Sequence, residues 1–175
     1  KTTIETVIQP TVNGLAAEKI NYIGIVYVGL MNTPEGPKVV EYNCRMGDPE
    51  TQAVFPRVKN DLVHLMLAAC NRKLDEATIE IDEKAAATVI LASGGYPESY
   101  EKGKTISNLE DVNESIVFHA GTKQTDNQLL TNGGRVLAVT SLHKNWKEAL
   151  ALSNKSAATI NFEGKYYRTD IGFDL

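Results

Sequence analysis

Two β-type runs set against each other across a short turn are the first limit on this chain. Residues 22–32 read YIGIVYVGLMN, rich in β-branched and aromatic side chains, and residues 37–45 read PKVVEYNCR. Between them lies Thr-Pro-Glu-Gly, in which proline presets a turn backbone and glycine completes it. Such runs around a Pro/Gly turn predict an antiparallel hairpin, so the fold must accommodate an antiparallel sheet.

Helical patterning flanks the hairpin. Ile4, Val7, Ile8, Val12, Leu15 and Ala16 recur at near-helical spacing over residues 3–20, with Pro10 inside as a kink or early break. Residues 61–71 place Leu62, Leu65, Met66, Ala69 and Cys70 on one stripe and predict a second helix. The charged stretch RKLDEATIEIDEK, residues 72–84, then separates two compositional halves. Beyond it AAATVILAS and SIVFHAGT read as strands, and QLLT and RVLAVTS flank Asn-Gly-Gly as a predicted hairpin. NWKEALALSNKSAATI has an amphipathic helical pattern, with Trp146 and Leu150 expected in the core, and a polar, aromatic tail follows. The expected class is α+β. Residues 1–84 form an antiparallel sheet with helices, and residues 85–175 a small β-rich domain with a packed helix.

Charge narrows the function. Acidic residues outnumber basic ones 22 to 18 and no Lys/Arg-rich block occurs, which argues against a nucleic-acid partner. No run approaches the roughly 18 apolar residues of a membrane span. Cys44 and Cys70 match neither a disulfide framework nor a CxxC metal site, so a reducing cytoplasmic compartment is expected. The chain begins at Lys1 without a charged n-region or apolar h-region, and is expected to be a fragment or processed product.

The polar alternation in VVEYNCR is where chemistry can reside. Side chains alternate along a strand, so Val39, Glu41, Asn43 and Arg45 share a face if the strand runs that far, and Val40, Tyr42 and Cys44 point the other way, toward packing. Glu and Asn oxygens are hard ligands suited to Mg2+, and an Arg beyond them can fork onto phosphate. The same alternation also suits a strand face that simply meets water. In the adjoining Gly-Asp-Pro-Glu, Asp48 can cap a helix with Pro49 at its first position and Glu50 near its positive end, or the turn can touch substrate.

The segments VYVGLM…PKVVEYNCRMGDPETQ, NDLVHLMLAAC, ASGGYPESYEKG, VFHAGT, TNGGRVLAVT and YRTDIG together resemble, in the same order, the glycinamide ribonucleotide synthetase (phosphoribosylamine–glycine ligase) family of ATP-grasp ligases. The likeness covers nearly the whole chain. It implies that Glu41 and Asn43 hold a Mg2+ (or Mn2+) ion bridging ATP phosphates, and that Arg45 lies near the transferred phosphate. It also implies that the turn carrying Asp48 and Glu50 borders the substrate pocket. The implied reaction joins glycine to 5-phosphoribosylamine with ATP, through glycyl phosphate. The family's glycine-rich first domain, its phosphate-contacting lysine and its adenine-holding segment match no stretch here. This is therefore expected to be a carboxy-terminal portion, inactive alone, whose partner is the amino-terminal part of the same enzyme.

Other candidates are weaker. ASGGYP and TNGGRV lack the Walker spacing and read as turns. His64, His119 and His143 form no recognisable catalytic spacing, and Arg135 and Arg168 can face the cleft of an assembled enzyme without the spacing requiring it. Two further readings stand beside the ligase. One is a non-catalytic binding module with a solvated strand, and the other an ATP-grasp ligase for a different acyl substrate.

Overall fold

The computed structural model describes residues 2–173 and divides them into two compact units. One comprises residues up to Gly47 with Asn60–Ile79; the other comprises Asp48–Lys59 with the chain from Glu80 onward.

The first unit opens with a helix whose first part, Ile4–Ile8, is π-wound and continues as α1, Gln9–Ala17. Pro10, at the start of α1, does not break the helix. The helix closes in a Schellman motif: Lys19 N–H donates to Ala16 O and Ile20 N–H to Leu15 O, with Lys19 left-handed at φ 57°. Strands β1, Tyr27–Thr33, and β2, Gly36–Asn43, form the expected antiparallel hairpin. α3 spans Leu62–Cys70 and starts on Asp61, whose Oδ1 accepts from Val63 N–H at 2.8 Å and His64 N–H at 3.1 Å. Its half-buried positions are Leu62, Leu65, Ala68 and Ala69, while the expected stripe members Met66 and Cys70 are exposed. Among the described residues, Val7 is this unit's sole buried hydrophobic.

The second unit is built differently. β3 (Ala85–Ser93), β4 (Ile116–His119), β7 (Arg135–His143) and β8 (Lys165–Tyr166) make an antiparallel sheet in the order β4-β7-β3-β8. α4, Trp146–Thr159, packs across β3 and β7. Val89, Leu91, Val136, Leu137, Val139, Ala157, Ile160 and Phe162 form its core. The expected core residue Leu150 packs against that cluster, and Trp146 is half-buried. Small residues on α4 allow the close approach, and Ser153 Oγ donates to Ala87 O at 2.8 Å. Both ends of α4 are capped. Asn145 Oδ1 accepts from Lys147 N–H at 2.9 Å, and Lys165 Nζ donates to the carbonyls of Ala157, Ala158 and Ile160.

The hairpin predicted around Asn132-Gly133-Gly134 does not form. β6, Leu129–Thr131, pairs with β5, Thr122–Gln124, in a separate two-stranded sheet, while β7 pairs with β3 and β4. A two-residue Asn-Gly hairpin turn needs positive φ at both central residues, and neither Asn132 nor Gly133 adopts it. The glycine serves close approach instead: a Cβ on Gly133 would lie 2.8 Å from Gly121 Cα. The predicted strand 115–122 is likewise split into β4 and β5 at this crossing.

No helix among the described residues is long and apolar enough to cross a membrane.

Candidate functional site

Glu41 and Asn43 lie on β2 and share a face, but not with Val39. The β1–β2 register pairs Asn43 with Tyr27 and Glu41 with Gly29, then skips Val40 and pairs Val39 with Leu30. Cross-strand partners share a face, and Gly29 and Leu30, as neighbours on β1, point oppositely. The one-residue bulge at Val40 therefore turns Val39 away from Glu41. Opposite Glu41 stands a residue without a side chain. A Cβ on Gly29 would come within 3.1 Å of Glu41 Cγ, so the glycine leaves the carboxylate room to lie across the hairpin.

Arg45 is not on that strand. β2 ends at Asn43, and Arg45 sits in the following bend, exposed, with Nη1 donating to Met46 O at 3.0 Å. The opposite face is not packed as expected either. Val40 is 65% and Tyr42 51% exposed, and Cys44 is exposed. Tyr42 and Cys44 border an open cleft of about 570 Å3 lined also by Thr11, Leu15, Ile20 and Tyr22, where the Tyr42 hydroxyl meets Thr11 Oγ1 at 3.0 Å.

The donor set suits a metal ion shared with a ligand. Glu41 brings one anionic oxygen and Asn43 one neutral oxygen, and Mg2+ is commonly held by one or two carboxylates with the rest supplied by water and phosphate. Among the described residues no group of three His, Cys, Asp or Glu side chains gathers to hold an ion by itself. Asn43 Nδ2 is buried and has no hydrogen-bond partner. A half-turn of the carboxamide exchanges Nδ2 and Oδ1 at little steric cost, so that position can meet a cation through Oδ1 or an anion through Nδ2. His64, His119 and His143 are all exposed and lie apart in sequence.

The Gly-Asp-Pro-Glu turn departs from the capping expectation. The short helix α2 is Thr51–Val54, its cap position is Glu50, and no side chain caps it, so Asp48 is not the N-cap and Pro49 not the first helical residue. Asp48 is spent on other bonds: Oδ1 accepts from Gln52 Nε2 at 3.1 Å, Oδ2 from Arg135 Nη2 at 3.0 Å, and its carbonyl from Arg135 Nη1 at 2.8 Å. Glu50 is exposed. Arg168 is turned onto Asp170, through Nε at 2.9 Å and Nη2 at 3.0 Å, and this pairing holds the Asp170 carboxyl below its ordinary value.

Residues 86–174 match the family model for the phosphoribosylglycinamide synthetase C domain, and residues 1–51 match that for the ATP-grasp (A) domain of the same enzyme. The chain belongs to the phosphoribosylglycinamide synthetase family. It is 50% identical over 175 residues to phosphoribosylamine–glycine ligase of Salmonella typhimurium, covering 98% of this chain and 41% of that protein. With the trifunctional purine biosynthetic protein adenosine-3 of Gallus gallus it shares 48% identity over 172 residues, which is 97% of this chain and 17% of that one. The crystal structure of phosphoribosylamine–glycine ligase from Thermotoga maritima superposes with a TM-score of 0.84 at 36% identity, over 97% of this chain and 42% of that one. The chain thus spans well under half the length of these synthetase relatives, and its mixed helices and antiparallel sheets are the α+β arrangement expected.

The Arg135–Asp48 pair was not legible as a pair. A faint signal exists in RVLAV, where adjacent Val136 and Leu137 break the two-residue alternation as a bulge does.

Proposed function

We propose that this chain is the carboxy-terminal part of an ATP-dependent ligase that joins glycine to 5-phosphoribosylamine, yielding glycinamide ribonucleotide, ADP and phosphate in purine biosynthesis. The observation that carries the reading is the pair Glu41 and Asn43, side by side on β2 over Gly29, in a chain that belongs to the synthetase family. The polar face is built for a ligand: one carboxylate, one carboxamide with an unsatisfied buried end, and a glycine that keeps the floor open.

In this reading a glycine carboxylate oxygen attacks the γ-phosphorus of ATP and ADP leaves. The amine of phosphoribosylamine then attacks the acyl carbon of glycyl phosphate, phosphate leaves, and the new amide nitrogen loses a proton. Glu41 and Asn43 hold a divalent ion, Mg2+ or Mn2+, which supplies charge neutralisation to the phosphates when bound. Arg45, exposed in the bend after β2, forks onto the transferring phosphate. Asp48 and Glu50 border the pocket for glycine and phosphoribosylamine. The remaining site groups come from the amino-terminal part of the same enzyme, so this chain by itself turns over no substrate. The working compartment is the cytoplasm. The domain division falls near Lys84, with residues 1–84 belonging to the ATP-grasp domain and 85–175 to the carboxy-terminal domain. The extents of the two family matches support that division, while the compact units differ from it by placing Asp48–Lys59 and the residues from Glu80 with the second.

The test is a substitution series in the complete enzyme, read as ADP release dependent on both glycine and phosphoribosylamine. Glu41→Gln keeps size but removes the formal charge, and is expected to lower kcat about a hundredfold or more with the thermal midpoint unchanged. Asn43→Ala is expected to cost less, because water can replace a neutral ligand. Arg45→Lys should lower kcat more than it weakens ATP binding. Wild-type turnover by Glu41→Gln with an unchanged magnesium requirement would mean that the polar face is only solvated surface, the binding-module reading.

A further inference from the structure

We infer that Arg135 is a positioning residue of the ligase site, acting through Asp48 to fix the shape of the turn that carries Glu50. The inference rests on the proposed function for the identity of the reaction, but its geometry lies wholly within the second unit.

Three features make Arg135 a clamp. Its fork spans a backbone carbonyl and a carboxylate of one residue, Nη1 to Asp48 O at 2.8 Å and Nη2 to Asp48 Oδ2 at 3.0 Å, which a point charge cannot reproduce. Its base is rigid. Arg135 O accepts from Gly121 N–H at 2.9 Å, and the two preceding glycine carbonyls accept from Ser93, Gly133 O from Ser93 Oγ at 2.9 Å and Gly134 O from Ser93 N–H at 2.8 Å. Its direction is set by a bulge. The β3–β7 register pairs Leu137 with Leu91 and Arg135 with Ala92, skipping Val136, so Arg135 falls on the same sheet face as Thr140, which pairs with Thr88. Without the extra residue Arg135 would share the face of Leu137 and Val139, which lie in the core with Ala157 of α4.

That shared face grips the turn twice. Thr140, fully buried, donates to Gln52 O at 3.0 Å, while Gln52 Nε2 closes back on Asp48 Oδ1 at 3.1 Å. Each oxygen of Asp48 already accepts a hydrogen bond, so its carboxylate serves the turn and is not idle for a substrate. The consequence for the reaction is placement. Groups bordering a reacting centre lose rate steeply when displaced by about an ångström.

The experiment uses the complete ligase, with steady-state constants for ATP, glycine and phosphoribosylamine and a thermal midpoint for each variant. Arg135→Ala is expected to lower kcat/KM for glycine and phosphoribosylamine about tenfold to a hundredfold while KM for ATP stays within about twofold. Arg135→Lys retains charge but not the fork, and is expected to recover only a small part of the loss. Asp48→Ala should reproduce the Arg135→Ala effect, and the double variant should add almost nothing, the signature of residues acting as one unit. Equal kcat/KM in wild type and Arg135→Ala overturns the clamp. So does a loss that is fully restored by Arg135→Lys, or that falls equally on ATP, or that adds independently to Asp48→Ala. A wild-type enzyme showing no ADP release dependent on glycine and phosphoribosylamine overturns the ligase reading itself, a result separable from all of these.

Discussion

The two units solve the same problem, a pair of antiparallel strands with helices, with opposite economies of burial. In the second, β3 and β7 bury Val89, Leu91, Val136, Leu137 and Val139 completely, and α4 closes the face over them. In the first, β1 and β2 leave Leu30, Met31, Val39, Val40 and Tyr42 exposed, and Val7 is the sole buried hydrophobic among the described residues. The unit that carries the proposed metal pair is thus the one with little core of its own. Buried apolar side chains concentrate in one unit and the proposed metal pair lies in the other. The two share one device, a single-residue bulge that re-aims a polar side chain, Val40 for Glu41 and Val136 for Arg135.

The contrast is sharpest in hydrogen exchange. Amides of β3 and β7 are expected to exchange only through opening of the whole second unit, whereas those of β1 and β2 exchange through local opening, about a hundredfold or more faster. Mass-resolved exchange on this chain reads both at once. Equal protection in the two strand pairs would break the comparison.

Core truncation gives a smaller effect of the same sign. Leu137→Ala removes a fully buried side chain packed among its neighbours and is expected to cost about 3 kcal/mol in unfolding free energy. Val40→Ala, at 65% exposure in the first unit, should stay within about 0.5 kcal/mol of wild type. Denaturant midpoints of the two variants decide the matter. A Val40→Ala loss as large as that of Leu137→Ala would show that the first unit has a core the exposures do not reveal.

How much of this was readable in advance follows the same division. The β1–β2 hairpin, α3 and α4 were legible because local patterning and turn or cap chemistry agree there: Thr-Pro-Glu-Gly, Asp61 and Asn145 each do locally what their type suggests. The Asn132-Gly133-Gly134 segment was misread as a hairpin because its glycines answer a tertiary demand, the crossing of Gly121, which no local window contains. The common face of Val39 and Glu41 failed for the same reason, since the bulge at Val40 is visible only in the pairing with β1. Asp48 looked like a helix cap because Asp-Pro-Glu is good cap chemistry, and a guanidinium 87 residues away overrode it. The shared face of Glu41 and Asn43 was legible because a two-residue spacing inside one strand needs no tertiary knowledge.

The smallest expected effect separates the units by pH. Helix α3 begins on Asp61, whose carboxyl is held below its ordinary value by the backbone N–H groups of His64 and Val63, while α4 begins on Asn145, which does not titrate. A carboxyl depressed in the folded state contributes stability that is present above its unfolded pKa, near 3.8, and is lost as pH falls through the lower folded value. Acid should therefore fray the first turn of α3 below about pH 4 and leave the first turn of α4 intact. The far end of α4 is also safe in acid, because the Lys165 ammonium that meets its last carbonyls stays protonated there. Amide shifts of Val63, His64 and Lys147 followed from pH 6 to pH 3 test this directly. Asp61→Asn should keep the cap and flatten the α3 profile, since the carboxamide accepts the same hydrogen bonds without titrating. A Val63 and His64 titration that persists in Asp61→Asn would place the acid sensitivity of α3 on some group other than its cap.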